Sequence, residues 1–211
     1  MRTWNAVSIF GAFFLLFTGS FAAAEDKKEE EKKVELNVGD IAPIFEGTND
    51  EGKTWMSADF VGKKFVVIYF FPADFTSGCR LQAQNFRDTM NKLAAKDVVV
   101  IGISGDSAMN HELVRKVEKL NFTLLADEQG ALAKKFGVPV GKGGEVRPRD
   151  AMNKPILDDE GKQIILKRGV TAARWTFIIG KDGKILYKNT KVVPAQDSKQ
   201  VTEFIELLQK K

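Results

Sequence analysis

The sequence predicts an α/β sandwich, a central mixed β-sheet flanked by helices, and three observations carry that expectation. Phe65 to Phe71 and Asp97 to Ser104 are apolar almost throughout, rich in β-branched and aromatic residues, and show no polar alternation. Such runs read as strands buried on both faces. Between them, Cys79, Ala83, Phe86, Met90 and Leu93 recur at intervals of four, three, four and three, which marks one face of a helix. Near the end, two short apolar segments flank Lys181-Asp182-Gly183, a hairpin followed by a last helical pattern. With 211 residues, 44% of them hydrophobic and 28% charged, the chain suits one globular domain with extra terminal material.

The elements follow in order. Arg2 precedes a charge-free stretch from Thr3 to Ala24 whose apolar middle ends at Ala22-Ala23-Ala24. A basic start, an apolar core and a small-residue ending form a secretory signal, with cleavage expected after Ala24. The competing reading is an uncleaved anchor, since the uncharged stretch nearly suffices to span a bilayer. Export to a periplasmic or extracellular space is expected. Residues 25–33 are almost entirely Glu, Asp and Lys and have nothing apolar to bury, so they read as a flexible spacer. The folded domain is expected from Val34 to the C-terminus.

Within it, Ile44 to Trp55 predicts a short N-terminal hairpin turning at Asn49-Asp50-Glu51-Gly52. Pro72 ends the strand that begins at Phe65, and the helix carrying Cys79 follows. After the second buried strand, Ser107 to Leu120 predicts a helix, Phe122 to Leu125 a short strand and Gln129 to Phe136 a short helix. Residues 139–173, rich in Gly, Lys, Arg and Asp, predict a long exposed loop or small excursion inserted in the domain. Trp175 to Ile179 and Lys184 to Tyr187 form the closing hairpin. Val201, Phe204, Ile205 and Leu208 mark the final helix.

Composition excludes several chemistries. The chain has one cysteine and one histidine. No intramolecular disulfide, cysteine-rich zinc site or multi-histidine metal centre can form, and neither metal nor cofactor is expected. The formal net charge is only +4 and the basic residues are scattered, so nucleic acid is not an expected partner.

The informative stretch runs from Phe70 to Cys79, FFPADFTSGC. A buried strand ends, a short loop follows, and Cys79 arrives in the first turn of a helix. Unpaired N–H groups and the helix dipole there favour a negative charge, hence the thiolate, which is the nucleophilic form. The residues alone leave a second reading open, in which Cys79 is a small buried hydrophobe on its helix's core face. His111, beside Asn110 near a helix start, reads as a solvated or helix-end histidine rather than a base for Cys79.

The stretch resembles the peroxidatic loop of peroxiredoxins: Pro72, Thr76 and Cys79 match its P-x-x-x-T-x-x-C pattern position for position. Gly39 to Phe45, Gly78-Cys79, Phe86-Arg87-Asp88, Val100 to Ser107, Leu124 to Asp127 and Phe136-Gly137-Val138 resemble the bacterioferritin-comigratory-protein, or peroxiredoxin Q, branch. Arg174 to Ile179 resembles that branch's arginine-containing strand. The resemblance runs from Val34 to the C-terminus, broken by residues 139–173. It implies a thioredoxin-like fold and a thiol peroxidase acting on hydrogen peroxide or organic hydroperoxides. Cys79 would attack one peroxide oxygen and become a sulfenic acid. Arg174 would sit beside the thiolate and hold peroxide, and Thr76 would orient it. Pro72 would limit solvent access, and N–H groups around Gly78 and Cys79 would stabilise charge on the leaving oxygen.

The chain departs from the family pattern in three places. Gln84 stands where many relatives carry a resolving cysteine, five residues after the first, so the sulfenic acid needs an external thiol, small or thioredoxin-like. Gln82 replaces a frequent glutamate and removes a charge near the site, and Ser77 replaces a frequent proline. A monomer or weak homodimer is expected. Two other functions compete: a redox-inactive thioredoxin-fold binding module with a vestigial cysteine, and a membrane-tethered disulfide reductase, which would need a second nearby cysteine.

Overall fold

The computed structural model describes residues 34–210. The expected signal (1–24) and spacer (25–33) lie outside these residues. Nine strands and four helices occur among those described: β1 (Glu46–Asn49), β2 (Thr54–Met56), β3 (Phe65–Phe70), α1 (Ser77–Ala94), β4 (Val98–Ser104), α2 (Ala108–Glu118), β5 (Thr123–Ala126), α3 (Ala131–Lys135), β6 (Val140–Val146), β7 (Leu166–Ala172), β8 (Trp175–Ile179), β9 (Ile185–Asn189) and α4 (Asp197–Gln209). None of the helices is long and apolar enough to cross a membrane.

Seven strands form one mixed sheet in the order β2-β1-β5-β4-β3-β8-β9. The β3-α1-β4 and β4-α2-β5 units are parallel crossovers, and β8 lies antiparallel on the other side of β3. This central place explains the unbroken apolar run of β3. Val67, Tyr69 and Phe71 face a core shared with Phe86 and Leu93 of α1, Val114 of α2, and Val201 and Ile205 of α4. Val66, Ile68 and Phe70 face the opposite core, with Phe45, Trp55, Phe136 and Phe177. A strand covered on both faces gains from apolar side chains at every position, so alternation disappears. The final hairpin turns at Gly183, whose φ of 77° lies in the left-handed region open to glycine.

Residues 139–173, expected as a long exposed loop or small excursion, form a small ribbon rather than a loop without strands. Their two ends are strands, β6 and β7, paired in register from Val140↔Ala172 to Val146↔Leu166. The tip is built from two turns in which Asp150 accepts the N–H groups of Met152 and Lys154, and Asp158 those of Glu160 and Lys162. A two-stranded ribbon whose side chains are mostly half-buried or exposed has little need of apolar alternation, which is why glycine and lysine hid these strands. The ribbon also docks closely. A Cβ on Gly105 would stand 2.1 Å from the Val170 carbonyl oxygen, and one on Gly169 would stand 2.0 Å from that of Glu128. Only hydrogen fits at these two crossings, and the Gly169 N–H donates to the Gly105 carbonyl at 2.9 Å.

Candidate active site

The site grows out of the loop between β3 and α1. Phe71 is still tied to the sheet, its N–H donating to Ile103 at 3.0 Å. Pro72, half-buried, then ends the pairing, as a residue without an N–H must. Asp74 turns inward: its N–H donates to Asp106 Oδ2 at 2.9 Å, and its own Oδ2 lies 2.8 Å from His111 Nδ1. Phe75 is buried with φ 57°, a conformation strained for a bulky residue. The Arg80 guanidinium lies 5.9 Å from its ring centroid. Thr76 is the N-cap of α1, yet its side chain makes no capping bond. Its hydroxyl donates instead to the Ala73 carbonyl at 3.1 Å. With that proton committed, Thr76 Oγ1 is left as a hydrogen-bond acceptor.

Cys79 follows in the first turn of α1, only 4% exposed. The first intrahelical bond is Arg80 N–H to Thr76 O, so the N–H groups of Ser77, Gly78 and Cys79 precede the ladder and are free for an anion. Gly78 is half-buried at the rim; a Cβ there would meet Pro194 and Arg174 at ordinary contact distance. Arg174, just before β8, reaches across with Nη2 3.0 Å from the Cys79 sulfur. The structure thus brings Thr76, Gly78, Cys79 and Arg174 together, with Pro72 at the loop's entry.

Behind Arg174 lies a chain that sequence reading missed. Arg174 Nη1 donates to Gln82 Oε1, Gln82 Nε2 donates to Asp197 Oδ2 at 2.7 Å, and Thr176 Oγ1 donates to the same oxygen at 2.8 Å. Asp197 is fully buried. Burial pushes its carboxyl up, opposed by the bonds from Gln82 and Thr176 and by the Arg174 charge. Gln82 itself is buried at Cys79 plus three, a signal available to helical periodicity. Asp197 lies 115 residues further on, beyond the reach of any local pattern.

His111 is a second correction. It is fully buried rather than solvated, because His111, Val114 and Glu118 share the inward face of α2. Its Nε2 lies 3.1 Å from the Leu125 carbonyl, which only accepts, so Nε2 carries a proton. The Nδ1 contact with Asp74 then needs a further proton between the two groups. Burial works against charge on the imidazole, but Asp74, Asp106 and the Leu125 carbonyl lift His111 above its ordinary 6.5. Burial also raises Asp74 from its ordinary 3.8, with His111 opposing. Both nitrogens of His111 are engaged away from Cys79, so it is not a base for the thiol.

Gln84, five residues after Cys79, donates to Glu118 Oε2 at 2.6 Å. Glu118, 3% exposed, also pairs with Arg80 at 2.6 Å. Arg80 in turn donates to the Arg149 carbonyl of the ribbon tip at 2.9 Å. Among the described residues no group of three or more His, Cys, Asp or Glu side chains is placed to hold a metal ion.

A thioredoxin-like sheet presenting a helix-borne thiol against a guanidinium defines the class of protein. The AhpC/TSA family model matches residues 38–188, and the chain belongs to that family. It is 40% identical over 126 residues to a chloroplastic peroxiredoxin Q of Populus jackii, covering 60% of this chain and 57% of that one. It is 38% identical over 128 residues to a putative peroxiredoxin bcp of Coxiella burnetii, covering 60% of this chain and 84% of that one. These relatives agree with the branch that the motifs resembled, although the match spans little more than half of the poplar protein. Among solved structures, peroxidoxin BcpB of Mycobacterium tuberculosis superposes with a TM-score of 0.64 at 24% identity, covering 82% of this chain and 97% of that one. A mutant of Xylella fastidiosa PrxQ gives 0.64 at 20% identity, covering 82% and 98%. The thioredoxin-like peroxiredoxin fold is therefore shared.

Proposed function

We propose that this protein is a thiol-dependent peroxidase with a one-cysteine cycle centred on Cys79. The observation that carries the reading is the Arg174 guanidinium, 3.0 Å from a sulfur seated in the first turn of α1. A guanidinium on the sulfur and open N–H groups in the same helical turn make a setting suited to negative charge. The same donors are aimed where charge appears as an O–O bond breaks.

In the first step the Cys79 thiolate attacks one peroxide oxygen. An S–O bond forms to the O–H oxygen, which keeps its proton, the O–O bond breaks, and the departing oxygen takes a proton from solvent water to leave as water or an alcohol. Thr76 Oγ1 accepts a hydrogen bond from the peroxide O–H and fixes the approach, while Arg174 and the Gly78 and Cys79 N–H groups stabilise the growing negative charge. Cys79 is left as a sulfenic acid. One external thiol condenses with it, releasing water and forming a mixed disulfide; a second thiol then frees Cys79 and leaves as a disulfide. Gln84 offers no sulfur to close this cycle within the chain. The reductant is an external small thiol or thioredoxin-like protein, and the reading extends to an exported monomer or weak homodimer.

The test is peroxide-dependent sulfenic-acid trapping at Cys79. The parent is expected to react far faster than free cysteine, Cys79→Ser to give no signal, and Arg174→Ala and Thr76→Val to slow trapping by roughly a hundredfold or more. A parent no faster than free cysteine would leave a redox-inactive binding module as the better account.

A further inference from the structure

We propose that Asp197 is a positioning residue for Arg174, acting through Gln82 and supplying from α4 the negative charge that Gln82 lacks. The inference rests on the peroxidase reading of Cys79 and Arg174 and concerns how that arginine is held.

Gln82 meets the guanidinium with a neutral amide that has one accepting end and one donating end. Only Oε1 suits Arg174, which has N–H groups alone to offer. The opposite end decides whether Oε1 faces that way. Asp197 Oδ2 accepts from Gln82 Nε2 at 2.7 Å and from Thr176 Oγ1 at 2.8 Å, a double acceptance that an ionised carboxylate makes strongest. Turning the amide over would set its oxygen against a carboxylate and its NH2 against a guanidinium. The carboxylate thereby fixes the amide, and the amide fixes the arginine.

The chain is built into three separate elements. Gln82 sits on α1, Arg174 and Thr176 lie at the start of β8, and Asp197 is the first residue of α4. Gln82, Thr176 and Asp197 are each fully buried. An anion at the first position of a thirteen-residue helix is favoured by that helix's dipole. Asp197 Oδ1 has no hydrogen-bond partner, so the carboxylate's commitments are directed along the path to the arginine. A buried acid held only for packing would have no reason to aim both of its bonds at one oxygen facing the site.

The experiment exchanges amide and acid. Asp197→Asn keeps an oxygen for Gln82 and Thr176 but removes the charge, and it is expected to slow peroxide-driven trapping of Cys79 by roughly tenfold through misplacement of Arg174. Gln82→Glu alone brings two carboxylates together and is also expected to be slow. The double variant Gln82→Glu/Asp197→Asn restores one acid and one amide in reversed order and is expected to recover to within about threefold of the parent. A rate in Asp197→Asn within about twofold of the parent overturns the proposal, as does a double variant no faster than Asp197→Asn.

A second readout is independent of peroxide chemistry. Resolved guanidinium N–H resonances of Arg174, assigned with Arg174→Lys, report its immobilisation. They are expected in the parent, averaged in Asp197→Asn and regained in the double variant. Unchanged resonances in Asp197→Asn overturn the proposal even if the parent proves inactive toward peroxide. Should Asp197→Asn fail to fold, Gln82→Met severs the same chain, and parent-like Arg174 resonances in that variant overturn it equally.

Discussion

Arg174 divides its guanidinium between two acceptors, the Cys79 sulfur through Nη2 and Gln82 through Nη1. A lysine carries the same charge on a single nitrogen and cannot reproduce that planar fork. Arg174→Lys is therefore expected to recover little of what Arg174→Ala loses, remaining at least about tenfold below the parent in sulfenic-acid trapping. Parent-like trapping would show that charge alone is enough. At this scale the sequence was informative wherever chemistry is local: Pro72, Thr76, Gly78 and Cys79 lie within eight positions of one another. Arg174 was reached only through the family motif, and Asp197 by no pattern at all. Two side chains 115 residues apart meet because α1 and α4 pack on the same face of the sheet.

At the scale of elements, the loop from Phe71 to Thr76 is held by α2 and the end of β4. Ser104 Oγ and the Asp74 N–H both donate to Asp106 Oδ2, Asn110 joins Asp106 to the ribbon at Lys167, and the Asp74–His111 pair lies beneath. This buried polar network packs around Phe75, strained directly before the site. Removing one partner of such a pair leaves the other buried alone, so His111→Ala is expected to cost about 3–5 kcal/mol in chemical unfolding. The pH dependence has a definite sign. His111 and Asp74 are both raised on folding, so the folded protein binds protons here more tightly than the unfolded chain. The Asp74 part weakens from pH 3.8 upward. The His111 part is complete below pH 6.5 and is lost as pH rises through its raised folded value. Comparison with Asp74→Asn/His111→Gln should show the parent's advantage shrinking above pH 6.5, by at most about 1.4 kcal/mol per pH unit for one proton. A constant difference between the two proteins would refute the assignment. Periodicity found the helices because each turns one face to a core, and unbroken apolar runs found β3 and β4 because both faces of each are covered. Both signals missed β6 and β7, which trade side-chain burial for backbone crossings at Gly105 and Gly169.

The whole molecule joins a two-faced core to an N-terminal stretch with the layout of a secretory signal. Export is expected to leave a mature chain beginning at Glu25, which N-terminal sequencing of protein recovered from outside the cytoplasm would test; an intact Met1 there would favour the uncleaved anchor. The arrangement around Glu118 has a consequence for timing. Arg80 and Gln84, one residue and five residues after Cys79, are both fastened to this one buried acid on α2, and Arg80 is also tied to the ribbon. Swinging Cys79 out of its pocket would break both attachments along with the helix turn between them. In the cycle proposed above, an oxidised sulfur would therefore wait where it was made, for as long as a reductant takes to enter. On that proposal slender thiols are expected to end the wait quickly and bulky ones slowly, leaving the pace to the shape of the visitor rather than to local unfolding.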